Sequence, residues 1–179
     1  MSLRDYSTQE RLNKMSVDLI DVEVSLSDGS AYATDDLLFK PTEIPGATEV
    51  TNGGCIIQSV ACIGSSTDGD ETGDFDLVIA TQNIESTLTK SGPAIMAAND
   101  AMSGNLADPN TGTAIRSICG IVNITNMTDM GSKLIVGSAD NLGIVAKPND
   151  TSLYVFGIAR STNTWNTPYL LLRFGIVRD

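Results

Sequence analysis

Histidine is absent from this 179-residue chain, and that single absence removes more chemistry than any motif adds. Without an imidazole there is no Ser-His-Asp or Cys-His nucleophile pair, no histidine metal cage and no metal-binding cupin site. Phosphate signatures are missing as well: neither GxxxxGK[ST] nor a GxGxxG following a strand occurs, so a nucleotide enzyme has no support. No apolar run reaches the ~18 residues of a membrane span, and no charged-then-apolar leader opens the chain, so neither a membrane partner nor Sec export is expected. Basic residues are scarce, 11 against 22 acidic, for a net charge of −11. That is the wrong sign for neutralising phosphates, so nucleic acid is not an expected partner. The three cysteines, Cys55, Cys62 and Cys119, are odd in number and sit in apolar runs, which reads as small buried hydrophobes rather than a disulfide framework. Nothing in the sequence calls for a cofactor or a resident metal.

What is present is short, extended and apolar. The apolar fraction is 41%, enough for one domain with a real core, and the division read here is an N-terminal arm over 1–16 and a β-sandwich over 17–179. The last stretch sets the pattern. Leu170, Leu172, Phe174 and Ile176 alternate with Leu171, Arg173 and Gly175, the two-residue period of a strand with one face in a core. The run Leu153 to Arg160 is equally short and rich in β-formers, with Tyr154, Phe156 and Ile158 on one face. A polar loop, Ser161 to Pro168, lies between them, and the pair reads as an antiparallel hairpin that ends the chain.

Earlier segments repeat the theme. Ile20, Val22, Val24 and Leu26 alternate with Leu19, Asp21, Glu23 and Ser25, a strand with one wet face. Ala31 to Phe39 reads as a second strand interrupted at Asp35 and Asp36, and Pro41 and Pro45 are expected to stop it, leaving Thr42 to Asn52 irregular or at an edge. Cys55 to Ile63 lacks clean alternation and reads as an interior strand covered on both sides. Phe75, Leu77 and Ile79 share a face of the next. Ala114 to Met127 is apolar on both faces and is read as a second interior strand, followed by two short ones over Lys133–Ser138 and Leu142–Lys147. Three Asn-x-Thr sequons, at Asn123, Asn126 and Asn149, are discounted for want of a secretion signal.

Three segments depart from the strand pattern. Asp68 to Asp76 imitates the first half of a calcium loop, but Ile79 stands where the bidentate Glu belongs and the flanks read as strands, so a solvated loop is the plainer reading. Pro93 to Met102 carries helix formers after a first-turn proline, giving one short helix in a long connection over 84–112 that either packs a sheet edge or serves as a partner-binding flap. Residues 1–16 hold Arg4, Arg11 and Lys14 among Leu3, Tyr6, Leu12 and Met15. They read either as a frayed terminus or as a basic arm that lies on an acidic or neighbouring subunit.

Eight to ten short strands with one minor helix make an all-β chain. The fold class is a two-sheet β-sandwich of jelly-roll type, with a partly open barrel as the nearest competitor.

The residues also resemble a family. The runs Ser30-Ala31-Tyr32-Ala33-Thr34-Asp35-Asp36-Leu37, Gly53-Gly54 before Ile56-Ile57-Gln58-Ser59-Val60, and Asp74-Phe75-Asp76-Leu77-Val78-Ile79 are similar to the decoration or cement proteins of tailed bacteriophage capsids. So is the ending, Thr151 to Tyr154 and Leu170 to Asp179. The resemblance spans most of Val17 to Asp179 and leaves the arm outside it, and the connection from Ile84 to Ile115 is longer and more helical than the resemblance implies. It implies a non-enzymatic structural virion protein, made in the host cytoplasm and placed on the capsid exterior. There it would act as a homotrimer, or a dimer, clamping major capsid protein subunits. Candidate partner contacts are Arg4, Tyr6 and Arg11 on the arm and Trp165, the only tryptophan, which either lids the end of the sandwich or anchors a neighbour. The competing class is a jelly-roll glycan- or receptor-binding module displayed on a virion, for which one Trp, four Tyr and four Phe are few rings. An enzyme built on Asp35 and Asp36 is a distant third, because adjacent strand residues face opposite ways.

Overall fold

Strand β1 (Ser16–Ser25) follows its sequence period: Val22 and Val24 are buried while Leu19, Asp21 and Glu23 face outward. It begins a chain of extended segments, β2 (Ser30–Tyr32), β3 (Leu37–Ile44), β4 (Cys55–Ser65), β5 (Phe75–Ala80), β6 (Ile118–Ile124), β7 (Thr128–Asp129), β8 (Leu134–Ala146), β9 (Leu153–Ala159), β10 (Asn163–Trp165) and β11 (Tyr169–Arg178), with a 3-10 turn at Glu85–Thr87. These come from a computed structural model that describes residues 16–26, 30–65, 73–88, 97–101, 116–125, 127–130, 134–165 and 169–178.

The pairing makes a ribbon that is rolled up. β1 pairs with β11, β2 with β10, β3 with β9, β4 with β8 and β5 with β6, all antiparallel, so the two halves of the chain run side by side. Rolling the ribbon adds β11 against β4 and β9 against β5, which yields a five-stranded sheet, β1-β11-β4-β8-β7, and a four-stranded sheet, β3-β9-β5-β6. That double-sheet closure is the jelly roll expected from the sequence, and it leaves few long edges open.

The core lies between the sheets. Across the five-stranded sheet the register aligns Val22, Leu172 and Cys62 in one inward row and Ile20, Phe174 and Val60 in another. The four-stranded sheet answers with Phe75, Leu77, Ile79, Val155 and Leu153, all buried in the same cluster. A second, smaller cluster forms on the outer side of that sheet, where Leu37, Val78, Phe156 and Ile158 are covered by Ile84 and Leu88. The chain segment just beyond adds backbone bonds from Leu37 N to Asp100 O, 2.8 Å, and from Asn99 N to Leu37 O, 2.7 Å. Part of the long connection thus roofs one sheet, the edge-packing role weighed for it. β5 is buried at every position as a result.

Several sequence expectations are corrected. β9 and β11 are strands, but they do not form a hairpin: each lies in a different sheet, and β10, between them in sequence, pairs with β2 instead. Pro41 does not stop its strand. β3 runs through it to Ile44 because β3 is an edge strand, and the register slips on either side of Leu38 and Pro41 absorb the missing N–H. β4 is interior, as read, but only its inward face is fully covered; Ile56, Ala61 and Ile63 are half-buried on the other. β6 is an edge strand rather than an interior one, with Ile121 57% exposed. The two short strands over 133–147 are one, β8. A register break at Ile57/Ser59 takes up its extra residues, with Asn141 and Gly143 at positive φ, 57° and 61°. Of the expected helix at 93–102, residues 93–96 and 102 lie outside those described, and 98–99 form a turn.

Candidate interaction surfaces

Trp165 is held by a short, three-residue pairing. β10 carries it opposite Ser30 of β2, next to the buried Tyr32, and its side chain is 2% exposed. The ring meets Phe75 edge-on, centroids 6.0 Å apart at 76°, a favourable quadrupole arrangement. Of the two roles weighed from the sequence, this burial fits the lid: the indole is part of the main core cluster. The other three candidates, Arg4, Tyr6 and Arg11, lie outside the described residues.

The carboxylates near that end are built into structure. Asp76 is nearly buried and accepts from Arg160 Nε at 2.6 Å and from the Asn123 amide, while Arg160 Nη1 also bonds Asp35. These bonds raise the Arg160 pKa, the one to Asp76 contributing most. Asp35 sits at φ 70°, and Asp36 points the other way, its Oδ2 accepting from Ala33 N at 2.7 Å. Asp74 continues the link: its N–H donates to Ser161 Oγ at 2.9 Å and its carbonyl accepts from Arg160 N at 2.8 Å. Asp68 and Asp70 lie outside the described residues, among which no group of three potential metal ligands occurs. Cys55 and Cys62 are buried as read, while Cys119 is half-buried; burial alone pushes the Cys62 thiol up to about 12 and leads the rise of Cys119 to about 11.

One open groove of about 530 Å³ runs between the β1 and β3 edges, lined by Glu23, Ser25, Lys40 and Thr42 with Ala97 and Ala98 at its rim. Its charges are on exposed stems, and Lys40 is already paired with Glu85 at 3.2 Å.

The outer face of the five-stranded sheet is the larger feature. Register aligns Val177, Ile56 and Val145 in one outward row and Glu23, Leu171, Ile63 and Val136 in another, with Tyr169 and Leu134 exposed towards the far end. Val145 is 71% exposed, Leu19 69% and Tyr169 53%. Between the apolar rows lies a polar belt, where Arg173 grips Asp21 through two bonds of 2.7 and 2.8 Å. The first of these bonds is the main cause of the lowered Asp21 pKa and the raised Arg173 pKa. Sequence reading placed Leu19 on the wet face of β1 without drawing the consequence. The signal was present there, as a leucine standing where its neighbours are Asp, Glu and Ser.

No family model matches the chain, and no curated protein matches it. Solved virus structures are similar over most of its length. One, of Desmodium yellow mottle tymovirus, is 14% identical with a TM-score of 0.29, covering 99% of this chain and 93% of that one. Another, of tomato aspermy virus, is 10% identical with a TM-score of 0.38, over 92% and 78%. A third, of Triatoma virus, is 8% identical with a TM-score of 0.32, over 100% and 69%. At those identities and scores the likenesses carry no argument about function, and the jelly-roll assignment stands on the strand pairing of this chain itself.

Proposed function

We propose that the chain is a structural virion protein that binds the outer surface of an icosahedral phage capsid as an oligomer and stabilises contacts between major capsid protein subunits. The observation that supports this most is the chemical contrast between the two outer faces of the sandwich. One is roofed by Ile84 and Leu88 of the chain itself, while the other presents Leu19, Val145 and Tyr169 to solvent. A stable body with exposed apolar side chains on one face is suited to adhesion. The resemblance of its short motifs to capsid decoration proteins points the same way, and on this reading the protein is not an enzyme. Docking is strengthened by the arm, through Arg4, Tyr6 and Arg11. Residues 1–15 hold three basic and two acidic side chains, whereas the rest of the chain holds eight and twenty. Avidity supplies the remainder, since several modest contacts made at once raise the effective concentration.

Co-sedimentation of the purified protein with capsids lacking it tests the reading. Occupancy should saturate at a fixed ratio to the major capsid protein, and deleting residues 1–14 should weaken it without changing the melting temperature of the free protein. Failure to sediment with capsids, together with a positive glycan array, overturns the capsid role in favour of the glycan-binding module.

A further inference from the structure

We propose that Asn52 is a conformationally gated deamidation site, whose side-chain amide converts to a carboxylate only when the turn over residues 50–53 opens. Nothing in this chemistry depends on what the protein binds.

Asn52-Gly53 is the single Asn-Gly dipeptide in the chain, and the reaction needs only that dipeptide and water. The Gly53 amide nitrogen loses its proton to hydroxide and attacks Asn52 Cγ. The Cγ–Nδ2 bond breaks, the departing group takes a proton from water and leaves as ammonia, and a cyclic imide remains. Water then opens the imide at either carbonyl, giving aspartate or, with the backbone rerouted through the side chain, isoaspartate. Glycine favours the first step because no side chain crowds the attacking nitrogen and its backbone is the least restricted. Asn52 is exposed, so solvent reaches the amide. The other asparagines at positive φ, Asn99 and Asn141, are followed by Asp100 and Leu142, whose side chains hinder the same attack.

The folded turn withholds the nucleophile. Gly53 N donates to Val50 O at 2.8 Å, and Asn52 is held at φ 58°, a left-handed conformation that asparagine tolerates in turns. The same Val50 oxygen accepts from Thr48 Oγ1 at 3.0 Å, and Thr48 is itself 2% exposed with its own N–H on Thr151 O at 3.1 Å. The peptide has little room to swing: a Cβ added to Gly53 would stand 2.7 Å from Val50 O, 3.1 Å from Thr48 Cβ and 3.2 Å from Val50 Cγ2. Attack therefore requires a local opening that breaks the Gly53 bond, and the folded rate is the unfolded rate scaled by the open fraction. The two products then part ways. Isoaspartate adds a methylene to the backbone just ahead of β4, an interior strand, and the turn does not re-form around it, whereas ordinary aspartate tolerates the same φ.

The test is peptide mapping by mass spectrometry of the full chain, aged in mildly alkaline buffer both folded and in urea. Conversion at Asn52 should run at least about tenfold slower in the folded protein, and hydrogen exchange should protect the Gly53 amide by a similar factor, since one opening exposes both. Thr48→Val keeps the shape of the side chain and removes one bond to Val50 O; it should speed folded conversion about fivefold and leave the rate in urea unchanged. Asn52→Gly keeps the positive φ without an amide to lose, so conversion should vanish while the melting temperature stays where it was. No conversion in urea, a folded rate equal to the urea rate, or an exchange-protected Gly53 amide beside unslowed conversion each overturns the proposal. So does a Thr48→Val variant that folds and converts no faster. The exchange comparison needs no variant, and it decides the matter if Thr48→Val does not fold.

Discussion

Replacing Trp165 by alanine removes the largest fully buried side chain of the described core. The site is closely packed: the indole meets Phe75 edge-on and belongs to the same buried cluster as Tyr32, both rings 1% exposed. Truncations of this size cost about 3–5 kcal/mol once the cavity is included, and the edge-on contact with Phe75 is part of that figure rather than an addition to it. For a domain of this length each kcal/mol moves the midpoint by ~2–4 °C, so the variant should melt roughly 6–20 °C lower. Urea unfolding followed by circular dichroism measures the loss directly. The wild-type protein supplies its own second readout: its one tryptophan should emit at short wavelength when folded and shift red on unfolding. Trp165→Phe should recover much of the loss. A change below about 0.5 kcal/mol for alanine, inside the range of ordinary surface substitutions, together with red native emission, would refute the lid and return Trp165 to the list of partner contacts.

Arg160→Ala should cost about 1–2 kcal/mol, less than a fully buried pair because the guanidinium is 41% exposed. Adding Asp76→Asn should restore part of it, since no buried carboxylate is then left without its cation, Asp35 being exposed; strict additivity of the two changes in urea titrations would contradict the network. The thiols make a third prediction. At pH 8 an aromatic disulfide reagent should leave Cys62 unlabelled in the native protein and count three thiols in guanidinium. Because burial raises the folded pKa of Cys62 from 9.0 to about 12, its protonated form contributes stability fully below pH 9, and that contribution is lost as pH climbs towards 12. Rapid native labelling of all three would show that the core is open.

Strand identity was legible wherever one face is wet. Val22 and Val24 against Asp21 and Glu23, or Leu172 and Phe174 against Arg173, announce both the strand and its inward side. Partnership was not legible. β9 and β11 look like a hairpin because a polar loop separates two apolar runs, yet a periodicity of two says nothing about which sheet receives a strand. The apolar character of β9 on both faces had a local cause that sequence does not display, namely the second cluster under Ile84 and Leu88. Pro41 misled for a related reason: its cost depends on whether its side of the strand faces a neighbour or solvent, which only the sheet order decides. Of the candidate contacts, Trp165 could be placed by burial alone, whereas Leu19, Val145 and Tyr169 become a surface only once the register brings distant segments side by side.

The outermost pairing has a consequence for how the molecule is made. Arg173 and Asp21, joined across β1 and β11, are 152 positions apart in the chain, so β1 must wait for all of the intervening residues before its neighbour exists. At ribosomal speeds of about 5–20 residues per second that delay is on the order of ten seconds. During it, Val22 and Val24 stand on an unzipped ribbon that is open to any passing strand. The vulnerable interval ends only when β11 slides between β1 and β4 to shut the sheet.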